Sequence, residues 1–206
     1  MNILKSALVL CFFALSLLSG AQSFEGLVIY KVEYLSVPEG MSEDRLCEQI
    51  YLYTNGDQHR VEEKGIASGN VFLYSAGYPF ETVLLNWLGH PVAISQSLNY
   101  PESPLSLESK TSSVAGQSCS LVKINDQLVF CADELKGQFP WLPMIEKLPL
   151  SFNIVRYGCE MQVTAIQIEH MPIDIAYFQV PKEYSMMDKS ELQGLFGEFD
   201  TQYSKE

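Results

Sequence analysis

The stretch CEQIYLYTNGDQHRVEE, from Cys47 to Glu63, carries the strongest fold signal in this chain of 206 residues. Residues that favour strands, such as Ile50, Tyr51 and Val61, lie on both sides of Asn55-Gly56. Asn and Gly tolerate the positive φ angles of a two-residue type I′ turn better than other residues do. The stretch therefore predicts a β-hairpin centred on this dipeptide.

The register of this hairpin follows from its turn. Counting outward from the predicted turn puts Ile50 opposite Val61 on one face, and Tyr51 opposite Arg60 on the other. We therefore expect an aliphatic face and an aromatic, charged face. Arg60 is interpreted as solvated or paired with a neighbouring carboxylate, with contact to a ligand as the alternative.

Further strand signals lie on both sides of the hairpin. Phe24 to Leu35 alternates between apolar and polar residues, and short apolar segments separated by turn residues continue as far as Glu169. Many short strands with closely spaced turns favour an antiparallel sheet over β-α-β units. Near the end, Asp188 and Glu191 have capping-box spacing and predict a C-terminal helix at about 188–199. The predicted fold class is α+β, mainly antiparallel β.

The first 21 residues have the order of a signal peptide. Lys5 precedes the apolar run Ala7–Leu18, and the small residues 19–21 follow. The run is too short to span a bilayer, which needs about 20 apolar residues. We expect cleavage before Gln22, with a buried N-terminal helix as the alternative, and a single domain over 22–206. A lipid anchor would need a cysteine at position 22, so the mature chain is predicted to be periplasmic or secreted without a membrane anchor.

The charge of the chain excludes some partners. The formal net charge is −12, whereas nucleic acids and anionic membrane surfaces attract clusters of Lys and Arg. We therefore expect no nucleic-acid partner. A monomer is the expected state.

Four cysteines remain after the predicted cleavage. In an oxidising compartment an even number indicates disulfides. Pairing of Cys119 with Cys131 and of Cys47 with Cys159 is the preferred connectivity, although two others and free buried thiols remain open. No Cys-x-x-Cys occurs and the histidines are far apart in sequence, so no metal site is predicted.

Catalytic motifs are not evident. The segment Gly65–Gly69 approaches a nucleophile elbow but has Ala67 where the serine would stand. Neighbouring carboxylates such as Asp133-Glu134 point to opposite faces of a strand, so they form no ready dyad. The sequence predicts no enzyme, no catalytic residue and no cofactor.

The segment Phe139–Ile145 (FPWLPMI) is apolar, uncharged and interrupted by two prolines. Core packing is the preferred interpretation. A flap over a cavity is the alternative. If an apolar ligand is bound, six residues of this segment and of the strands are expected to line it: Trp141, Leu142, Met144, Ile145, Tyr30 and Phe72.

Several segments together resemble a family of secreted bacterial proteins of unknown function, which is similar in fold to periplasmic lipoprotein carriers of the LolA type. These segments are Phe24–Tyr30, His59–Glu62, Lys110 with Val114–Cys119, Cys131–Leu135 and Phe178–Tyr184. The resemblance implies a curved half-barrel whose concave, apolar side is covered by a few short helices and can hold an acyl chain. It assigns no partner-docking residues, so lipoprotein transport does not carry over.

Three functions are weighed on this basis. The first is a soluble binding protein for a lipid-like or other apolar small molecule. The second is an interaction or assembly protein of the cell envelope, with a filled barrel, no ligand and an envelope protein as its partner. The third and least favoured is a hydrolytic enzyme.

Overall fold

A computed structural model describes residues 22–42, 46–65, 69–87, 89–98, 105–124 and 127–187. They form one sheet and a single four-residue 3-10 helix, Ile175–Phe178. The strands in chain order are β1 Gln22–Ser23, β2 Gly26–Ser36, β3 Cys47–Thr54, β4 Gln58–Gly65, β5 Val71–Ser75, β6 Phe80–Trp87, β7 His90–Ser97, β8 Leu105–Val114, β9 Gln117–Ile124, β10 Gln127–Lys136, β11 Lys147–Arg156, β12 Cys159–His170 and β13 Ser185–Met187.

The sheet consists of two antiparallel meanders joined at one seam. The spatial order is β13-β7-β6-β5-β4-β3-β2-β12-β11-β10-β9-β8, so the seam is the pairing of β2 with β12. Only two short contacts among the described strands are parallel, those of β1 with β10 and of β13 with β7. The chain therefore forms β2 to β7 consecutively, crosses to the far edge, and returns through β8 to β12.

The crossing from β7 to β8 shows that the sheet is strongly curved. Eight peptide links join Ser97 to Leu105, and they span at most about 28 Å when fully extended. In a flat sheet the ten strand intervals between β7 and β8 would measure about 48 Å. The sheet must therefore curl, and β8 indeed contacts β12.

The predicted α+β class, with a few short helices across a half-barrel, is wrong for the part of the chain that the structure describes. Residues 137–146 cover the buried face of the sheet as an irregular loop instead. Its backbone makes two successive turns, in which the Leu142 N–H donates to the Phe139 carbonyl (2.7 Å) and the Ile145 N–H donates to the Leu142 carbonyl (3.0 Å). Pro140 and Pro143 lack the N–H groups that a regular helix would use.

Two predicted segments lie outside the described residues: the leader at 1–21 and the terminal helix at about 188–199. None of the helical segments in the described ranges has the length and apolar character needed to cross a membrane.

The core lies between the inner face of the sheet and the loop 137–146. Phe139 is fully buried and contacts two inner-face rings, Tyr30 at 5.4 Å and Phe152 at 5.0 Å between centroids. The Tyr30 hydroxyl donates to the Pro149 carbonyl at 2.9 Å, which satisfies the one polar group this buried ring brings. The loop is thus anchored in the core by an aromatic cluster.

The hairpin of β3 and β4 has the predicted faces but another register. Its central residues are Gly56 and Asp57, since Thr54 pairs with His59, and Gly56 has φ +97°. Val61 therefore lies opposite Leu52 rather than Ile50, and Arg60 opposite Tyr53 rather than Tyr51. Because the shift is two residues, each side chain keeps its predicted face.

The two predicted disulfides are not formed, and the four cysteines among the described residues are buried free thiols. Cys119 lies opposite Ala132, and Cys131 lies opposite Ser120, so neither cysteine faces the other directly and neighbouring positions alternate between faces. Cys47 and Cys159 lie on β3 and β12, which β2 separates. Two strand spacings, about 9.6 Å, exceed the Cα separation of about 7 Å that a disulfide tolerates.

Gly26 fixes the start of the seam between β2 and β12. Its φ is +149°, and a Cβ at this position would lie 1.9 Å from the Glu169 carbonyl oxygen. Only glycine lets the two backbones approach this closely.

Candidate ligand-binding pocket

A pocket of about 310 Å³ opens at one end of the sheet, where β2 and β11 end and where β3 and β12 begin. Its volume is at the lower end of the range usual for small-molecule sites. Its wall combines apolar and polar side chains: Tyr34, Met41, Leu46, Asn70, Arg156, Tyr157, Cys159 and Met161.

The turn between β11 and β12 positions two of these side chains. Tyr157 and Gly158 both have positive φ, +53° and +77°, as a two-residue type I′ turn requires. Arg156 and Cys159 consequently pair directly across the turn and share one face. That face is the inner one, because Cys159 belongs to the core.

The apolar side of the pocket is rich in sulfur. Cys159 Sγ lies 3.3 Å from Met41 Sδ, and Met161 lies two residues beyond Cys159 on the same face of β12. Leu46 completes this side. Thioether and thiol groups are polarisable and adapt to irregular shapes, so the wall suits an apolar ligand chain.

Tyr34 closes the pocket towards β3. Its hydroxyl oxygen accepts a hydrogen bond from the Cys47 N–H at 2.8 Å. Burial raises the pKa of Tyr34 well above its ordinary value, and it likewise raises the pKa of the Cys47 thiol to about 12. Both groups are therefore neutral at physiological pH.

The polar side of the pocket is built on Arg156. Its guanidinium carbon lies 3.6 Å from the ring centroid of Trp141 and 4.7 Å from that of Phe72. It also donates from Nη2 to the Tyr157 hydroxyl at 3.1 Å. The cation is thus held between aromatic rings, in the geometry of a cation–π contact.

Glu63 is the acidic partner of this arginine. Its carboxylate is buried, accepts a hydrogen bond from Asn70 Nδ2 at 2.8 Å, and lies 3.8 Å from Arg156 Nη2. Burial raises the pKa of Glu63, whereas the nearby guanidinium lowers it, and repulsion from Glu81 adds to the rise. The distance of 3.8 Å makes the ion pair loose. The raised pKa means that this carboxylate ionises less readily than an exposed one.

Trp141 connects the pocket to the loop 137–146. The indole N–H donates to the Tyr74 hydroxyl on β5 at 2.7 Å, and the ring contacts Phe139 and Phe72 edge-on. The loop thus fixes the ring on which Arg156 stacks.

A second polar feature lies deeper on the inner face. His59, Tyr74, Glu81 and Gln96 are paired in succession across β4, β5, β6 and β7. Gln96 donates to one oxygen of Glu81. The other oxygen of Glu81 and both ring nitrogens of His59 have no hydrogen-bond partner among the described residues. Burial lowers the pKa of His59 to about 4, so this imidazole is neutral at physiological pH.

The residues predicted to line an apolar site lie mainly in the core. Tyr30, Phe72, Leu142 and Ile145 are buried there, and Trp141 and Met144 are half-buried against it. Of the six, Trp141 and Phe72 approach the pocket through their contacts with Arg156. The prediction missed Arg156 itself, although Tyr157-Gly158 after it is a recognisable turn signal.

Arg60 on the outer face has the predicted carboxylate partner. Its Nε lies 2.6 Å from Glu62 Oε1, and its guanidinium stacks on Tyr177 at 4.4 Å. Tyr53 packs edge-on against the same Tyr177 ring. Arg60 thus resembles Arg156 in its surroundings but lies on the opposite face of the sheet.

Comparison with protein-family models finds no match, and no curated protein is significantly similar to the chain in sequence. Solved structures do share the fold. Two crystal forms of PNGF-II, in space groups P21 and C2, match the chain with TM-scores of 0.54 and 0.53, both at 16% sequence identity. The matches cover 84% and 82% of this chain and 33% and 32% of PNGF-II. The chain therefore spans about a third of the length of PNGF-II, and the likeness concerns the fold alone.

Proposed function

We propose that the chain is an exported binding protein that holds a small molecule with an apolar chain in the 310 Å³ pocket. The observation that carries the proposal is the wall of the pocket, in which Met41, Leu46 and Met161 face a cluster of polar groups around Arg156. Mostly apolar lining with a few placed polar groups is the usual character of a small-molecule site. The resemblance to LolA-type carriers and the predicted leader support the same function.

The size of the pocket limits the ligand. A volume of about 310 Å³ equals the liquid volume of about ten water molecules, which corresponds to about ten non-hydrogen atoms of a ligand. Most of the remaining inner face is filled by the loop 137–146, whose residues Phe139, Leu142 and Ile145 are buried. We therefore expect a chain of about eight carbons, or one end of a longer chain, rather than a whole two-chain lipid.

The test is calorimetric titration of the protein with 1-octanol, supported by native mass spectrometry of protein purified from its own cells. Met41→Trp places a large ring in the pocket and should weaken octanol binding at least tenfold. Met171→Trp is the matched control, because Met171 is exposed away from the pocket. The proposal fails if the native protein binds neither octanol nor other eight-carbon compounds, or if both variants bind them as the native protein does.

A second candidate function is docking to a cell-envelope protein, which a groove on the outer face favours. The groove measures about 530 Å³ and crosses β10, β11 and β12. Leu128 and Val155 in its lining are 52% and 72% exposed. Exposed apolar side chains grouped in this way often mark protein contacts.

Docking is tested by chemical crosslinking in envelope extracts. A partner that crosslinks to the native chain should be lost with Val155→Glu and retained with Val37→Glu, since Val37 is exposed outside the groove. Crosslinks that survive Val155→Glu would contradict this function.

A further inference from the structure

The Arg156 guanidinium has more hydrogen-bond donors than the protein uses. A guanidinium carries five N–H donors in a planar fork. Among the described residues it makes one hydrogen bond, to Tyr157, and one loose contact of 3.8 Å, to Glu63. Its side chain is nevertheless only 16% exposed. A nearly buried cation with unused donors is costly unless another acceptor reaches it.

The surroundings of Arg156 hold the guanidinium in place without satisfying all of its donors. Trp141 and Phe72 contact the cation through their rings, and an aromatic ring carries no lone pair to accept a conventional hydrogen bond from a guanidinium N–H. Arg156 also lines the pocket, together with Met41 and Met161. An acceptor at one end of an apolar chain could therefore reach the guanidinium while the chain lies against the two methionines.

Glu63 is a weak competitor for this position. Its oxygen nearest to Arg156 lies 3.8 Å away, well beyond the 2.7–2.9 Å of a charge-assisted hydrogen bond. Asn70 and Tyr157 hold the second oxygen of the carboxylate, at 2.8 and 3.5 Å. Glu63 is thus tied on the side away from the ion pair, which leaves the guanidinium open to a second carboxylate.

We infer that the pocket selects an apolar ligand with a carboxylate head group. The guanidinium of Arg156 binds this carboxylate, and the negative charge of Glu63 repels it. The inference rests on the proposed function and adds the chemical class of the ligand. A medium-chain carboxylate such as octanoate has ten non-hydrogen atoms, which matches the size of the pocket. Arginine pairs with carboxylates in bidentate geometry, whereas an alcohol offers a single uncharged oxygen.

The experiment compares octanoate, 1-octanol and acetate by calorimetric titration at pH 7 and about 0.15 M salt, where the negative charge of the chain is screened beyond about 8 Å. A charge-assisted hydrogen bond contributes about 1.5–3 kcal/mol, which corresponds to at least tenfold in affinity. Octanoate should therefore bind at least tenfold more tightly than octanol, and acetate should bind weakly because it lacks the chain.

Three variants separate recognition from folding. Arg156→Gln should weaken the binding of octanoate at least tenfold and should change the affinity for octanol less than threefold. Arg60→Gln is the matched control, since Arg60 is also stacked on a tyrosine and paired with a glutamate, and it should change neither ligand. Glu63→Gln removes the opposing charge and should tighten octanoate several-fold, a gain that loss of folding cannot produce.

The outcomes distinguish this inference from the proposed function. Equal binding of octanoate and octanol to the native protein would overturn the carboxylate inference and leave the proposed function standing. Absence of binding by both would overturn the proposed function as well. Octanoate affinity that is unchanged in Arg156→Gln and not increased in Glu63→Gln would also overturn the inference.

Discussion

The buried imidazole of His59 makes the stability of the protein depend on pH in a predictable way. His59 is 2% exposed, and within the part of the chain that the structure describes neither ring nitrogen has a hydrogen-bond partner. Burial lowers its pKa from 6.5 to about 4, although the charge of Asp57 acts in the opposite direction. The His59 imidazole is therefore protonated below about pH 6.5 in the unfolded chain but only below about pH 4 in the folded chain.

The magnitude follows from this difference. A pKa shift of one unit corresponds to about 1.4 kcal/mol. Between pH 7 and pH 4, His59 should therefore lower the free energy of unfolding by about 3 kcal/mol. The contribution is fully present above pH 6.5 and decreases as the pH falls towards 4, because protonation favours the unfolded chain throughout that interval.

The assay is urea unfolding of the native protein and of His59→Gln at pH 7 and pH 4. Other groups that titrate affect both proteins alike, so the difference between the two free energies of unfolding isolates His59. That difference should shift by about 3 kcal/mol in favour of the variant as the pH falls. The control is His90→Gln, which makes the same substitution at an exposed position. A shift below about 1 kcal/mol for His59→Gln would refute the reasoning, since the imidazole would then be protonated as easily in the fold as outside it.

Three further predictions concern the loop and the seam. Phe139→Ala should lower the free energy of unfolding by about 3–5 kcal/mol, because its ring is fully buried. Phe80→Ala, at a 51% exposed position, should lower it by less than about 1 kcal/mol. Urea unfolding measures both losses, and equal losses for the two variants would contradict this prediction. Gly26→Ala should prevent normal folding, because the added Cβ would overlap the Glu169 carbonyl, and a two-dimensional NMR spectrum with native dispersion would contradict it. Trp141→Phe removes the indole hydrogen bond and weakens the contact with the guanidinium, so thermal unfolding should show a loss of about 1–2 kcal/mol, and an unchanged midpoint would count against the described role of this ring.

The strands could be predicted because their cause is local. Alternation along Phe24–Leu35 and the turn signal at Asn55-Gly56 are properties of neighbouring residues. The exact turn could not be predicted in this way, because Asn55-Gly56 and Gly56-Asp57 are both acceptable turn pairs. The observed choice placed Glu63 opposite Ile50 instead of Glu48, while its face of the sheet is the same in both registers.

The described residues lack the predicted covering helices for a different reason. The sequence FPWLPMI at Phe139–Ile145 indicates burial, and burial is what the structure shows for Phe139, Leu142 and Ile145. Burial alone does not specify backbone conformation. Helices across the concave side were implied by the resemblance to another fold, and the prolines in this segment oppose them.

The pocket could not be predicted because its members come from distant parts of the chain. Met41, Arg156 and Cys159 meet only because β2 pairs with β12 and because the turn at Tyr157 and Gly158 directs two side chains to one face. Pairing between strands so far apart leaves no local pattern. The disulfide prediction failed for a related reason, since counting cysteines carries no information on which strands are neighbours.

The seam between β2 and β12 also bears on how the chain acquires its structure. Val32 pairs with Val163, about 130 residues later, whereas each meander is built from neighbouring hairpins. Contacts between residues so distant slow folding, since a long loop must close before they form. Until β12 pairs with it, β2 has an unpaired backbone edge that can pair with another chain. A chaperone or a fast-folding second meander would protect that edge, and refolding yield should fall as protein concentration rises.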